Sequence, residues 1–454
     1  MAEWSFEAAS SLTVAGPRRI RTGLPCYAPR GHPNKSCVYI TTPSTPTTRS
    51  LRGDEFRRAA RGLTSEHSSR LDLQSAMTSW EILASLPTAV IRRRGRFVVA
   101  DLSEAHLTIT TSVKNGGQAG HVRHLVNHQS CEGAGHEARF RFITDLGQEA
   151  YHDSVCDELG LLSSETAVMG TAANMNYVAI TTEADADVDV TTIVTAGVQT
   201  NAICAGDPAS WRETPEGITQ VAAVAGTINT MLLLNRPMTP AALARAVVTM
   251  TEAKSAALQR LAVPSCYSAD LATGTGTDQF CVAAPLGGDK PLTSASPHMK
   301  VGELIGVTVR RATGEALRWQ NGLEASLTRG LFHALGRYGL KESDVFRDLA
   351  PLLDPSDLDL LKKNSKAAFY EPLVGAAAHA LAAVLDRVRH GTIPESSAPD
   401  AVVQQAATLA TSLAAKPDAW PEFRAELHRS ADKEPKSLVL AAVALGWTAK
   451  WRTD

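Results

Sequence analysis

The chain has 454 residues, with 45 Lys and Arg against 47 Asp and Glu, a formal net charge of -2. That balance gives no global field to draw it onto nucleic acid or an anionic membrane, and no apolar run approaches the ~18 residues a spanning helix needs. The length allows two or three domains with their own cores. The 7 cysteines, odd in number and without a CxxC pair, fit a reducing cytoplasm better than a disulfide framework.

Residues 1–76 are rich in Arg, Ser, Thr and Pro (TTPSTPTTRS, RGDEFRRAARG) and read as a disordered, dispensable basic extension. They lack the apolar centre of a secretory signal, and Glu3 and Glu7 sit badly in an organellar leader; Met77 is an alternative start. From about Ser79 a compact domain begins, with RFVVADL and LTITTSV as strands and Arg92-Arg93-Arg94 as a solvated edge. Asn115-Gly116-Gly117 marks a turn or a close backbone approach, and a helix is expected after it. That helix would align His121, His124 and His128 at i, i+3 and i+7. No carboxylate or cysteine supports them at a ligand spacing, so no metal site is expected.

LGLLSSETAVMGTAANM reads as a helix followed by a glycine-containing loop, and YVAITTEADADVDVTTIVTAGV as two strands around a turn. In the latter, Glu183, Asp185, Asp187 and Asp189 alternate on a wet face. TAGVQTNAICAGDPASW then places Gly197, Asn201 and Asp207 in a small-residue loop after a buried strand, a common setting for ligand sites.

The stretch from Ala225 to Cys281 organises the domain. MLLL after AGTINT has the length of a buried strand. Thr239-Pro240 supplies an N-cap oxygen and a first-turn proline, so a helix should run to about Leu261. Leu243, Val247, Met250, Ala257, Leu258 and Leu261 form its apolar stripe, with Lys254 in the middle. Glu252 lies on the opposite side among Ala241, Ala244, Val248 and Ala256, residues small enough for another element to pack close. Ionisable groups on a helix apolar on both flanks need partners or a task. The run LATGTGTDQFC offers hydroxyls at Thr273, Thr275 and Thr277, a carboxylate at Asp278, and close backbone approach at Gly274 and Gly276. It is not a phosphate loop, because GxxxxGK[ST] is absent. A further helix starts at about Lys300, and beyond Tyr338 the chain is Ala/Leu-rich and helical in pattern, with HGTIPESSAPD as a linker.

These elements predict an α+β fold: a mixed-sheet domain with packed helices over 79–340, followed by an α-helical C-terminal region over 341–454. The helical region is expected to pack on the main domain, on a second copy or on a protein partner.

The runs SVKNGG (112–117), NHQ (127–129), VTAGVQTNAICAGDP (194–208), AGTINTMLLLNRPMTPAAL (225–243), TEAKSAAL (251–258), LATGTGTDQFCVAA (271–284) and GELIG (302–306) occur in one order. Together they resemble the adenosylcobinamide amidohydrolase family of corrinoid-salvage enzymes. The resemblance covers roughly Ser79 to Gly339. It implies hydrolysis of the amide joining the aminopropanol arm to the corrin ring of adenosylcobinamide, giving adenosylcobyric acid and 1-amino-2-propanol. The corrinoid is then the substrate, and no cofactor is expected.

Amide hydrolysis needs an activated nucleophile, oxyanion stabilisation and a proton for the amine. GxSxG and HExxH are absent. In one scheme a threonine, Thr275 or Thr277, attacks. In the other, Asp278 or Glu252 activates water while Lys254 or His128 stabilises charge or protonates the amine. The carboxylate scheme is preferred, because a threonine needs a base in any case. Asn115, Gly116, Asn201, Asp207, Asn229, Thr273, Gly274 and Gly276 complete the expected site as substrate contacts. Two other readings remain open: a non-catalytic corrinoid-binding protein, and a threonine amidase that cleaves its own chain before Thr273, Thr275 or Thr277.

Overall fold

A computed structural model describes residues 79–133, 135–215, 217–220, 226–429 and 434–452. The extension read in residues 1–76 lies outside them. In chain order the first strands are β1 (Glu81–Ser85), β2 (Ala89–Arg94), β3 (Phe97–Leu102), β4 (His106–Thr110), β5 (Gly117–Ala119) and β6 (His124–Gln129). Helices α1 (Glu137–Leu146) and α2 (Gln148–Leu159) lead to β7 (Thr166–Thr171), β8 (Ala179–Asp185) and β9 (Val188–Ala196). The short strands β10 (Ala202–Ile203), β11 (Trp211–Thr214) and β12 (Gly217–Gln220) precede β13 (Ile228–Leu234). Then come α3 (Pro240–Arg260), β14 (Gly274–Thr275), β15 (Gln279–Pro285) and α4 (Lys300–Asn321).

One sheet has the order β1-β2-β3-β6-β7 and the other β5-β4-β15-β13-β9-β8. Within them β6–β7 and β13–β15 are parallel and the other pairings antiparallel. The sheets face each other across a core that joins Ile91, Val98, Leu125 and Met169 to Ile193, Met231, Leu233 and Cys281. The outer face of the second sheet is covered by α3 and α4, through Leu232, Leu234, Leu243, Met250, Ile305 and Val309. The outer face of the first is covered by α2, through Val155 and Cys156 against Phe97, Val99 and Val126. The result is four layers, helix–sheet–sheet–helix. Every residue of β13 is therefore buried, which is why its sequence is a near-continuous apolar run without alternation.

The mixed-sheet domain with packed helices and a helical region after it is the fold the sequence predicts, but three local readings are corrected. The expected helix after Asn115 is the strand pair β5 and β6. Extended geometry sends Leu125 and Asn127 toward the other sheet, and Val126 and His128 toward α2. The three histidines therefore share no helical face: His121 bonds Asn115 Oδ1 at 3.2 Å, while His124 pairs with Asp101 at 2.7 Å. Thr166–Thr171 is a strand, not helix or loop. The Arg92–Arg94 run is on an interior strand, because β1 covers its edge; Arg92 pairs with Asp101 and lies over Trp80, and Arg93 pairs with Glu81.

All described residues belong to one compact unit. After α4 the chain is helical, from Leu331–Leu335 to Pro435–Lys450. It has its own apolar core, with Phe369, Leu381, Val403, Leu409 and Val443, which already takes in Leu331, earlier than the expected boundary at 341. It grips the loop after α3: His333 bonds Leu261 O at 2.7 Å, Arg337 donates to Ala269 O at 2.6 Å, and Arg389 pairs with Asp270. Among the described residues no helix is long and apolar enough to cross a membrane.

Candidate functional site

Parallel pairing builds the site. The β13–β15 register sets Asn229 opposite Gln279, so the residues just before each strand meet at one end of the sheet. Gly226 and Thr227 enter from one side, Thr277 and Asp278 from the other. Thr277 donates from Oγ1 to Gly226 O at 2.8 Å, and the Thr227 and Thr277 hydroxyl oxygens are 2.6 Å apart. With the Thr277 proton committed to the carbonyl, Thr227 is the donor between the two hydroxyls. Asn201 Nδ2 donates to Gly226 O at 2.8 Å and lies 3.4 Å from Thr277 Oγ1, while the Tyr267 hydroxyl donates to Asn201 Oδ1 at 2.9 Å. Gly226, at φ 145°, has no room for a side chain: a Cβ would come within 2.9 Å of Asn201 Cβ.

Asp278 points the other way, toward α3. Its Oδ2 accepts from Lys254 Nζ and, at 3.1 Å, from Thr275 N; its Oδ1 accepts from Thr275 Oγ1 at 2.5 Å and from Ile228 N at 3.0 Å. A Cβ on Gly274 would lie 2.5 Å from Asp278 Oδ2 and 2.8 Å from Lys254 Nζ. The glycine is what lets the pair close over the turn. Lys254 and Asp278 therefore brace the Thr-Gly-Thr-Gly-Thr-Asp run against α3 and the start of β13.

The two threonines face a cleft of about 270 Å³ between the sheet ends. Gly226, Thr227, Thr277 and Gln279 form one wall. Ser130, Cys131, Tyr151, His152, Gly170 and Thr171 form the other, with Val113, Phe140 and Ile143 at the rim. Gln279 Oε1 accepts Gly170 N–H at 2.8 Å. Behind this wall Asn229 Nδ2 donates to Asn127 Oδ1 at 2.9 Å and to Gly170 O at 3.1 Å, tying the sheets together. Burial lowers the basicity of His152, only partly offset by backbone hydrogen bonds, and raises the Tyr151 hydroxyl and Cys131 thiol above their usual values. These cleft side chains are neutral near pH 7.

Other expected site residues lie elsewhere. Glu252 is exposed and 3.7 Å from Arg245, on a face with Ala241, Ala244 and Val248 that meets solvent, not another element. It does not share a cleft with Asp278, because residues two apart on a helix point to opposite sides. His128 is fully buried on the α2 side of the first sheet, stacked on Phe97, with Nδ1 2.9 Å from the Tyr151 hydroxyl. Burial, then the Arg96 and Arg139 charges, hold its pKa down to about 3, so it is a neutral core residue. Asn115 donates to Ser163 O and Thr166 O, both at 2.8 Å, and a Cβ on Gly116 would strike Ser112 O at 2.1 Å; both fix a turn. Asp207 accepts from Ser265 and from Cys204 N, and Thr273 Oγ1 from Ala205 N; these close the neighbouring loop. Gly276 packs against Asn201, 3.0 Å from Oδ1 to a built Cβ. Among the described residues no group of three or more His, Cys, Asp or Glu could hold a metal ion.

The sequence model of the adenosylcobinamide amidohydrolase family matches residues 84–325, both sheets and both walls of this cleft. The chain belongs to the adenosylcobinamide amidohydrolase family. It is therefore an amidohydrolase by family, and the runs that carry the resemblance supply Asn127, Asn201, Gly226, Thr227 and Thr277 to one place. Uncharacterized protein MJ1613 of Methanocaldococcus jannaschii is 35% identical over 176 residues, 37% of this chain and 68% of the relative. Among solved structures, a Burkholderia sp. beta-aminopeptidase matches with 12% identity and a TM-score of 0.26, covering 54% of this chain and 82% of its own. That likeness is too slight to carry residues across. The helical region lies beyond the family match.

Sequence reasoning missed Thr227, Gln279, Tyr151, His152 and Tyr267 as members of the site. Thr227 and Gln279 sit within quoted runs, but only the strand register sets them beside Thr277. Tyr151 and His152 come from α2, which no motif marks.

Proposed function

We propose that this chain hydrolyses the amide between the aminopropanol arm and the corrin ring of adenosylcobinamide, releasing adenosylcobyric acid and 1-amino-2-propanol in corrinoid salvage. The observation that carries this reading is the Thr227–Thr277 hydroxyl pair on the wall of a cleft, in a chain of this family. The geometry supports the threonine scheme over the carboxylate scheme, because both Asp278 oxygens are occupied on the α3 side and Glu252 is at the surface.

In this scheme Thr277 Oγ1 attacks the amide carbon, and Thr227 holds the hydroxyl in place. Gln279, with Oε1 bonded to Gly170 N, offers Nε2 to the developing oxyanion. As Thr277 attacks, its proton leaves Gly226 O and passes through cleft water to the departing amine while the C–N bond breaks. Water then hydrolyses the acyl-threonine ester, leaving the carboxylate and restoring the hydroxyl. Lys254 and Asp278 act by holding the turn that presents Thr277. The reaction draws on no cofactor, and the described cysteines, all free, suit a reducing cytoplasm. The test is turnover of adenosylcobinamide by the parent, Thr277→Ser and Thr277→Ala proteins. Parent turnover with partial retention in Thr277→Ser and a loss of about 10²-fold or more in Thr277→Ala is expected. Undiminished turnover in Thr277→Ala would remove the nucleophile.

A further inference from the structure

Helix α1 is amphipathic yet buries none of its residues. Its apolar side chains Phe140, Ile143, Leu146 and Phe142, with Arg139 among them, fall on one arc covering less than half the circumference at 100° per residue. Phe140 is 43% exposed, Phe142 51% and Leu146 39%. The helix is nevertheless anchored: Arg139 donates to Ser130 O at 3.1 Å, and its guanidinium lies over the Phe142 and Tyr151 rings at 5.0 and 5.8 Å. A contiguous apolar face on an anchored element marks a binding surface more often than chance.

Its position says what binds. Phe140 and Ile143, at one edge of the arc, also line the cleft that holds Thr227 and Thr277, and exposed Val113 stands at the same rim. The apolar surface thus continues outward from the cleft mouth. The cleft itself, about 270 Å³, is below the ~300–1,000 Å³ of pockets that enclose a drug-sized ligand. An adenosylated corrinoid is larger than such a ligand, so the cleft can take a side arm and its amide but not the ring.

We propose that the cleft-side face of α1 is the platform for the corrin macrocycle, on which Phe140 and Ile143 pack while the aminopropanol arm reaches into the cleft. This rests on adenosylcobinamide as the substrate. The corrin face opposite the adenosyl group, with its amide-bearing edges, matches an apolar surface flanked by polar groups. Gln148, which lines the cleft with Phe140 and Ile143, is a donor and acceptor for the edge amides.

The test uses the full chain with Phe140→Ser/Ile143→Ser, both on the cleft side of α1, and Val248→Ser, 43% exposed on α3, as a control for loss of surface apolarity. Binding of adenosylcobyric acid is read by calorimetry; it keeps the macrocycle and lacks the aminopropanol. The double variant should bind it about 10–100-fold more weakly and raise KM for adenosylcobinamide in parallel, with kcat within about threefold of the parent. Its melting temperature and the control should not change. A parent that turns over adenosylcobinamide, with a double variant that binds adenosylcobyric acid equally well, overturns the platform and leaves the proposed function standing. A parent that neither binds adenosylcobyric acid nor turns over adenosylcobinamide overturns both. A double variant that changes only from dimer to monomer on a sizing column, with corrinoid affinity intact, assigns the face to a second copy and overturns the platform.

Discussion

Replacing Lys254 by Met removes one ammonium from a pair whose side chains are 15% and 18% exposed, while keeping the apolar stem and the helix propensity. Asp278 keeps its donors from Thr275 and Ile228 but loses its counter-charge. Breaking a fully buried pair costs about 3–5 kcal/mol, and an exposed one under about 1 kcal/mol. Partial exposure and the remaining donors put this case between, at about 2–3 kcal/mol. For a domain the size of residues 84–325, each kcal/mol displaces Tm by about 2–4 °C, so the sheet-domain transition should fall by about 4–12 °C in a calorimetric scan. Turnover should fall about tenfold or more, because the braced turn carries Thr277. Lys254→Met/Asp278→Asn, which leaves no unpaired charge and keeps an acceptor oxygen for Ile228 and Thr275, should regain part of the lost stability. A Lys254→Met protein as stable and as active as the parent would refute the brace and make this lysine a surface charge.

Thr227→Val keeps the shape and removes the donor to Thr277 Oγ1; kcat should drop about tenfold or more with KM little changed, and an unchanged kcat would take Thr227 out of the reaction. Tyr267→Phe removes the hydrogen bond that orients Asn201, at about 1 kcal/mol, and should lower turnover several-fold in a steady-state assay while the fold survives. Arg389→Ala removes one of the contacts by which the helical region holds the loop carrying Tyr267, so it should reproduce the Tyr267→Phe defect more weakly; parent-like kinetics would limit that contact to packing. His128 has its pKa lowered to about 3 in the folded chain, below its unfolded value of about 6.5. The unfolded state therefore binds the extra proton between those values, and stability falls as pH drops through that window, by about 1.4 kcal/mol per pH unit from this residue. His128→Phe should flatten the difference between urea midpoints at pH 7 and pH 5; an unchanged difference would assign the acid sensitivity elsewhere.

The β13–α3–β15 unit is legible because each of its signals is local. A short apolar run, a Thr-Pro cap and a glycine-threonine turn fix strand, helix start and second strand without tertiary context, and the Thr239 cap is present as read. β6 is misread because histidine spacing at 121, 124 and 128 happens to fit a helical face. The glycines at 116, 117 and 120 and the β-branched residue at 126 argue for extended chain. β7 is hidden by burial on both sides, which removes the alternation that reveals a strand. The same helical wheel that puts Lys254 in the apolar stripe already sends Glu252 outward. Its small-residue neighbours Ala241, Ala244 and Val248 look like a packing face by size alone, but they are solvent-exposed. Thr227 and Thr277 are fifty residues apart in sequence, and only the parallel register brings their hydroxyls to 2.6 Å. No sequence spacing encodes that meeting. Asp278 stood out as the sole carboxylate in a glycine-rich run, yet its four hydrogen bonds spend it on the turn.

This cleft is proposed to break the aminopropanol amide of adenosylcobinamide. The most direct measurement is incubation of the purified full chain with adenosylcobinamide in ¹⁸O-labelled water, followed by mass analysis of both products. Adenosylcobyric acid with one labelled oxygen in its new carboxylate, and an equal amount of unlabelled 1-amino-2-propanol, is the expected result. Adenosylcobinamide recovered intact at stoichiometric protein, with no aminopropanol released, would contradict it.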